Sequence, residues 1–251
     1  MKKELRIFFT AVMFLTRLPV PKTTDHSAGY LREAPRYFPV VGWIVGGCCS
    51  LVFWLADRYL SQDIAVVASM VTGLLTTGCF HEDGFADVCD GFGGGWTKDK
   101  ILIIMKDSRI GAYGAIGLVM ILGSKFLLLK ELPVFIPAVI AAHSVSRLMP
   151  VLLMKTGVYA ADPDQSKAKP LAGRSLSTSS LVLALMFALP PFLLLPWYFL
   201  VLLVPALLTT VIMYRWFSKW IGGYTGDCLG AVQQVVEIGF YLGCILLWRY
   251  L

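Results

Sequence analysis

Tyr37-Phe38-Pro39-Val40-Val41-Gly42-Trp43-Ile44-Val45-Gly46-Gly47-Cys48-Cys49-Ser50-Leu51-Val52-Phe53-Trp54-Leu55-Ala56 runs for 20 residues without one ionisable acid or base. About 20 such residues let an α-helix cross the hydrocarbon core of a bilayer. No water is present there to bond the backbone, so the helix must satisfy its own amides. Six further runs are predominantly apolar: Ile64–Phe80, Ile110–Leu129, Pro133–Met154, Ser180–Leu195, Tyr198–Tyr214 and Val235–Trp248. Leu5–Leu18 is apolar but short, and reads as an interfacial or re-entrant helix. Pro190-Pro191 should kink or break the fifth run. The expected fold is an all-α integral membrane protein, a polytopic bundle of about seven transmembrane helices formed by residues 1–251 as a single membrane-embedded domain.

Composition agrees. Hydrophobic residues make up 57% of the chain and charged residues 15%, with mean hydropathy +0.71. A soluble domain carries roughly 25% charged residues, so this chain has too few to cover a water-facing surface. The net charge of +6 is then topogenic and lipid-facing, and no nucleic-acid partner is expected. With the N-terminus inside, segments 1–36, 81–109, 155–179 and 215–234 hold 7, 4, 4 and 2 Lys/Arg, 17 of 22. Arg58, Lys130 and Arg249 lie outside, and Lys125 and Arg147 fall within spans. This predicts a multi-pass protein of the cytoplasmic (inner) membrane. Acids gather on the same inner face, which topology alone does not require. No cleavable signal peptide is expected. The six cysteines form no C-x-x-C pair, so neither a disulfide framework nor a zinc site is expected.

The densest polar stretch is His81-Glu82-Asp83-Gly84-Phe85-Ala86-Asp87-Val88-Cys89-Asp90-Gly91-Phe92-Gly93-Gly94-Gly95. Asp83, Asp87 and Asp90 share one face if the stretch is helical. Three like charges repel unless a cation joins them. Oxygen ligands favour Mg²⁺, which commonly pairs one or two carboxylates with a substrate phosphate. The bland alternative is a solvated acidic helix end. Gly91, Gly93, Gly94 and Gly95 read as a loop able to approach a phosphate, or as a plain connection. His81 can serve as ligand, base or helix-end hydrogen-bonding residue.

Lys106-Asp107-Ser108-Arg109 follows, ahead of the third run. Lys106 and Arg109 can clamp phosphate oxygens, Arg109 as a planar fork. Asp107 can add a metal ligand or orient Arg109. The competing reading is an ordinary basic flank of a membrane helix. A third element, Gly222-Gly223-Tyr224-Thr225-Gly226-Asp227, returns an acid to the inner face. Glu237 and Arg147 lie within spans, where ionisable groups are functional candidates; for Arg147 a structural ion pair competes.

These three elements, with Thr16-Arg17-Leu18-Pro19-Val20-Pro21 and Phe38-Pro39…Gly42, strongly resemble the cobalamin synthase family, the adenosylcobinamide-GDP ribazoletransferases. The motifs occur in order along nearly the whole chain. Glu82 departs from the pattern, standing where many relatives carry an apolar residue. The resemblance implies the last step of nucleotide loop assembly in cobalamin biosynthesis. In that step adenosylcobinamide-GDP and α-ribazole, or its 5′-phosphate, give adenosylcobalamin, or its phosphate, and GMP, with Mg²⁺ as cofactor. Its implied catalytic residues are His81, Asp83, Asp87, Asp90, Lys106, Arg109 and Asp227. Gly91, Gly93, Gly94, Ser108, Thr225 and Arg147 are expected to contact substrate. Glu82, Asp83, Asp87, Asp90, Asp107 and Asp227 are the candidate metal ligands. A homo-oligomer, or association with other cobamide-assembly enzymes, is a possible arrangement. A CDP-alcohol phosphatidyltransferase would share Asp87-Val88-Cys89-Asp90-Gly91, but Gly94-Gly95 stands where its motif needs Ala-Arg. An ion-coupled transporter would favour repeats and midplane acids, whereas the acids here crowd one mouth.

Overall fold

A computed structural model describes residues 3–22, 24, 27–160 and 176–250. The expected inner loop 155–179, with Lys167, Lys169 and Arg174, therefore falls largely outside the described residues. Within them the chain is all-helical apart from one isolated bridge, Tyr159 to Tyr224. The α-helices are α1 (Lys3–Leu15), α2 (Ala28–Glu33), α3 (Phe38–Asp57), α4 (Gln62–Thr77), α5 (Phe80–Gly94), α6 (Lys98–Met105), α7 (Ala112–Lys130), α8 (Phe135–Thr156), α9 (Thr178–Ala188), α10 (Leu203–Ile221) and α11 (Gly226–Tyr250).

Five helical stretches among the described residues are long and apolar enough to span a bilayer: Gly29–Asp57, Ala112–Lys130, Phe135–Thr156, Trp197–Ile221 and Gly226–Tyr250. The pair α4 and α5, bent by 88°, is a sixth only if the two are counted as one broken span. The protein is thus the polytopic helical membrane protein the composition demands, with three departures from the expected spans. The fifth run is short, because α9 stops before Pro190 and passes into a 3-10 turn over Pro190–Leu194. The second run ends at a sharp corner rather than in a loop. The last span is long, not short: Gln233, Gln234 and Glu237 interrupt its apolar run but are buried within the helix. Polar residues that find partners inside a bundle do not end a helix.

The corner between α4 and α5 positions everything that follows. Gly78 (φ 65°) and Cys79 (φ 58°) both adopt the left-handed region, and the chain turns through 88°. Gly78 is free to do so, whereas Cys79 carries strain of about 1–2 kcal/mol. The Thr-Arg-Leu-Pro segment braces this corner from outside. The Arg17 amide donates to the Thr76 carbonyl at 2.7 Å, and the Arg17 side chain packs over Gly78.

Helix α1 does not span. Its Ile7, Ala11, Val12 and Leu15 are buried against the bundle, and Arg36 binds Glu4 and Glu33 where α1 meets the entry to α3. Helices α3 and α8 approach at backbone distance: a Cβ on Gly42 would strike the His143 carbonyl, and one on Gly46 would sit 2.9 Å from the Ile140 Cα. At the far end of the bundle Lys130 pairs with Asp63 at 2.9 Å, tying the end of α7 to the start of α4.

Candidate functional site

The stretch 80–94 is a helix, so Asp83, Asp87 and Asp90 do share a face of α5. Their surroundings differ. Asp83 is exposed, Asp87 half-buried and Asp90 buried. The two Asp90 oxygens accept the Gly111 and Gly114 amides at 2.7 and 2.8 Å. Asp90 is therefore the cap of α7, an anion placed where a helix N-terminus offers unpaired N–H groups. A Cβ at Gly111 or Gly114 would run into this carboxylate, which accounts for the glycines around Tyr113.

The expected glycine loop is not a loop. Gly91, Gly93 and Gly94 lie in the last turn of α5. Side chains at Gly91 and Gly93 would collide with Met105 and with the Tyr113 ring. The missing side chains let α6 and α7 close onto α5.

Asp227 comes to this helix from the first turn of α11. A Cβ on Gly84 would lie 3.0 Å from the Asp227 Cα and carbonyl oxygen, and one on Gly230 3.1 Å from the His81 carbonyl. The two helices cross on bare backbone, with Gly84 seated between Asp83 and Asp87 in sequence. Thr225 caps α11 by accepting the Cys228 amide at 3.3 Å and is itself buried. Lys106, Ser108 and Arg109 occupy the exposed turn ahead of α7. There Asp107 orients Arg109: it accepts the Arg109 amide and Nε, each at 3.0 Å, and Nη2 at 2.6 Å. Those bonds hold the Asp107 carboxyl at about 2 and push the guanidinium up, so the two stand as a charged pair at this exposed turn. Among the described residues no three His, Cys, Asp or Glu side chains converge as a ready-made metal cage.

Below the crossing lies a buried polar network that the sequence reading largely missed. Glu237 of α11 binds Lys125 of α7 at 3.0 Å and accepts Gln233 Nε2 at 2.6 Å and the Tyr241 hydroxyl at 3.2 Å. His143 of α8 stands 3.7 Å from Glu237, and Arg147 reaches His143 Nδ1 at 2.9 Å. Gln234 donates to Glu82 at 2.9 Å and accepts Lys125 at 3.1 Å. Glu82, expected as a ligand at the mouth, is instead a buried member of this network, because its position on α5 faces α11. Arg147 and Glu237 were legible as charges within spans; Lys125 was legible in the same way. His81 is 5% exposed and, with Arg147, lines both the cavity around this network and an apolar cavity beside it.

If Asp90 is a cap, Asp90→Ala will lower stability by about 1–3 kcal/mol through two orphaned amides, and Asp83→Asn will stay within about 0.5 kcal/mol of the parent. Denaturant melting in detergent checks this; an Asp90→Ala protein that melts like the parent removes the cap.

The chain matches the family described as cobalamin-5-phosphate synthase over residues 7–245. Curated relatives carry the name adenosylcobinamide-GDP ribazoletransferase. That of Vibrio cholerae is 43% identical over 246 residues, covering 96% of this chain and 94% of the relative. That of Shewanella oneidensis is 44% identical over 252 residues, covering 95% and 93%. That of Shewanella pealeana is 43% identical over 262 residues, covering 98% and 97%. No solved structure matches. With family and relatives aligned over nearly its full length, the chain belongs to the cobalamin-5-phosphate synthase family.

Proposed function

We infer that the protein is an adenosylcobinamide-GDP ribazoletransferase, a membrane enzyme of cobalamin biosynthesis, acting where α5 crosses α11. The crossing is the observation that carries this placement: two helices meet on glycine backbone, which sets Asp227 against Gly84, between Asp83 and Asp87 in sequence, while the Asp90 bonds to Gly111 and Gly114 tie the turn before α7 to the same helix.

A ribazole hydroxyl attacks the phosphorus bonded to the cobinamide arm. The new ribose O–P bond forms, the P–O–P bridge breaks, and GMP leaves with the bond electrons. The hydroxyl proton passes to a base at the crossing, Asp227 or His81. Lys106 and Arg109 lie at the mouth to meet the charge on the diphosphate. Phosphoryl transfer depends chiefly on such positioning and charge stabilisation. Asp83, Asp87 and Asp227 would hold Mg²⁺. What supports this is their chemistry, carboxylate oxygens from two crossing helices, the donor type Mg²⁺ takes when it also binds a substrate phosphate. The ion would neutralise charge on the leaving phosphate. Asp90 accepts its two α7 amides and Asp107 holds its arginine.

The mouth faces the cytoplasm in this reading, at the inner membrane. Lys130–Asp63 places the end of α7 beside the α3–α4 turn, and the 19 residues of α7 rise about 28 Å. Tyr59 and Ser108 thus lie at opposite ends. On a cysteine-free background Tyr59→Cys should react with an impermeant thiol reagent in intact cells, and Ser108→Cys only after permeabilisation. The opposite pattern turns the molecule over.

Purified protein in nanodiscs, given adenosylcobinamide-GDP and α-ribazole with Mg²⁺, should release one GMP per cobamide. Asp87→Asn should slow turnover on the order of 10²–10³. With a chiral, isotopically labelled phosphate at the attacked phosphorus, direct displacement requires inversion. Retention, or a phosphorylated protein trapped without ribazole, would replace it with a double displacement.

A further inference from the structure

Apart from His81, the lining of the apolar cavity beside the crossing has no part in the chemistry just described. Its walls are Phe14 of α1, Phe38 of α3, Phe80 of α5, Pro150 and Met154 of α8, and Leu229 of α11, with Tyr159 and Tyr224 where the Tyr159–Tyr224 bridge closes one side. The aromatic walls are fixed against each other: Phe14 packs edge-on to Phe80 at 5.5 Å and parallel to Phe38 at 5.9 Å, and Tyr159 meets Tyr224 edge-on at 5.5 Å. Gly226 and Gly230 leave the α11 wall without side chains. A cavity with this lining suits a flat aromatic group.

Two features narrow its occupant. Arg147 lines the cavity, is 2% exposed, and its Nε–H has no hydrogen-bond partner. Leaving a buried guanidinium donor unpaired is costly, and an incoming acceptor removes that cost. Second, among the described residues no Asp, Glu, Asn or Gln lines the cavity. Guanine, with its ring N–H and exocyclic amine, would bury donors with no carboxylate or amide to receive them. A benzimidazole joined to ribose through one nitrogen presents one ring acceptor, the other nitrogen, and no exocyclic donor. The cavity also abuts the acidic mouth: it includes Gly226, the residue before Asp227, and His81, two before Asp83.

We propose that this cavity is the acceptor-base subsite. It takes the planar base of the ribazole between its aromatic walls with the ring nitrogen toward Arg147, and the attached ribose reaches the carboxylates at the α5–α11 crossing. The proposal rests on the ribazole-transfer reading and assigns one substrate's base to one set of walls.

The test separates the two. Full-length protein in nanodiscs is titrated with α-ribazole alone, followed by benzimidazole fluorescence, and KM is measured for each substrate in turnover. Met154→Phe fills the cavity, and Phe80→Ala removes an aromatic wall whose residue is 45% exposed, so the second variant keeps the test valid if the first misfolds. Each is expected to weaken α-ribazole binding at least tenfold and to leave the KM for adenosylcobinamide-GDP within twofold. Unchanged α-ribazole affinity in a folded variant, or an equal rise in the donor KM, overturns the assignment. Absence of α-ribazole binding to the parent protein also overturns it. Failure of GMP release by the parent, with α-ribazole still bound and displaced by these variants, would sink the transfer reading and leave the base site standing.

Discussion

Gly84 of α5 rests directly on the backbone of Asp227, and Gly230 of α11 on the backbone of His81. This contact sets the position of every polar group at the mouth. Helix α5 is too polar to lie in lipid and too well packed to hang in water. It is carried into the bundle by the left-handed corner at Gly78-Cys79 and seated against α11 where neither helix has a side chain to interpose. From that seat Asp90 reaches the start of α7, Glu82 reaches Gln234, and His81 enters the interior. Asp83 and Asp87 remain at the mouth, on a helix now fixed relative to Asp227.

The network beneath has a different energetic character. Lys125, Glu237, His143 and Arg147 come from α7, α11 and α8 and are nearly withdrawn from water. Burying charge costs several kcal/mol per ion, recovered only when partners are close and hydrogen bonds are complete. Glu237 meets that condition with an ammonium, an amide and a phenol. Arg147 Nε and Glu82 Oε2 do not, being buried without partners. The network therefore fixes the three helices in register and leaves unmet polar demand beside the cavities that adjoin the crossing. An apolar core of equal volume would hold the helices together without orienting His81 or Arg147.

Much of this was legible in the sequence, for physical reasons that also mark where it stops. Long uncharged runs report membrane helices because lipid permits little else; α3, α7 and α8 fall within two residues of the expected bounds. Carboxylate spacing put Asp83, Asp87 and Asp90 on one face because α5 is a helix. The limits lie where neighbours from distant segments decide. Spacing could not show that Asp90 is taken by the amides of Gly111 and Gly114, 21 and 24 residues away. Glycines at 91 and 93 read alike whether they admit a phosphate or another helix. The polar start of α11 looked like loop because the partners of Gln233 and Gln234 lie on α8 and α5. The acidic motif of α5 thus contains residues of two kinds: those that place α5, and those that α5 presents.

The central claim is that carboxylates from α5 and α11 jointly hold a divalent ion against the diphosphate of the donor. Electron paramagnetic resonance of Mn²⁺, added in place of Mg²⁺ to the purified protein with adenosylcobinamide-GDP, tests it most directly. The account predicts one bound ion with phosphorus hyperfine coupling, lost in Asp87→Asn and in Asp227→Asn. A bound ion without phosphorus coupling, or one retained unchanged in both variants, would contradict it.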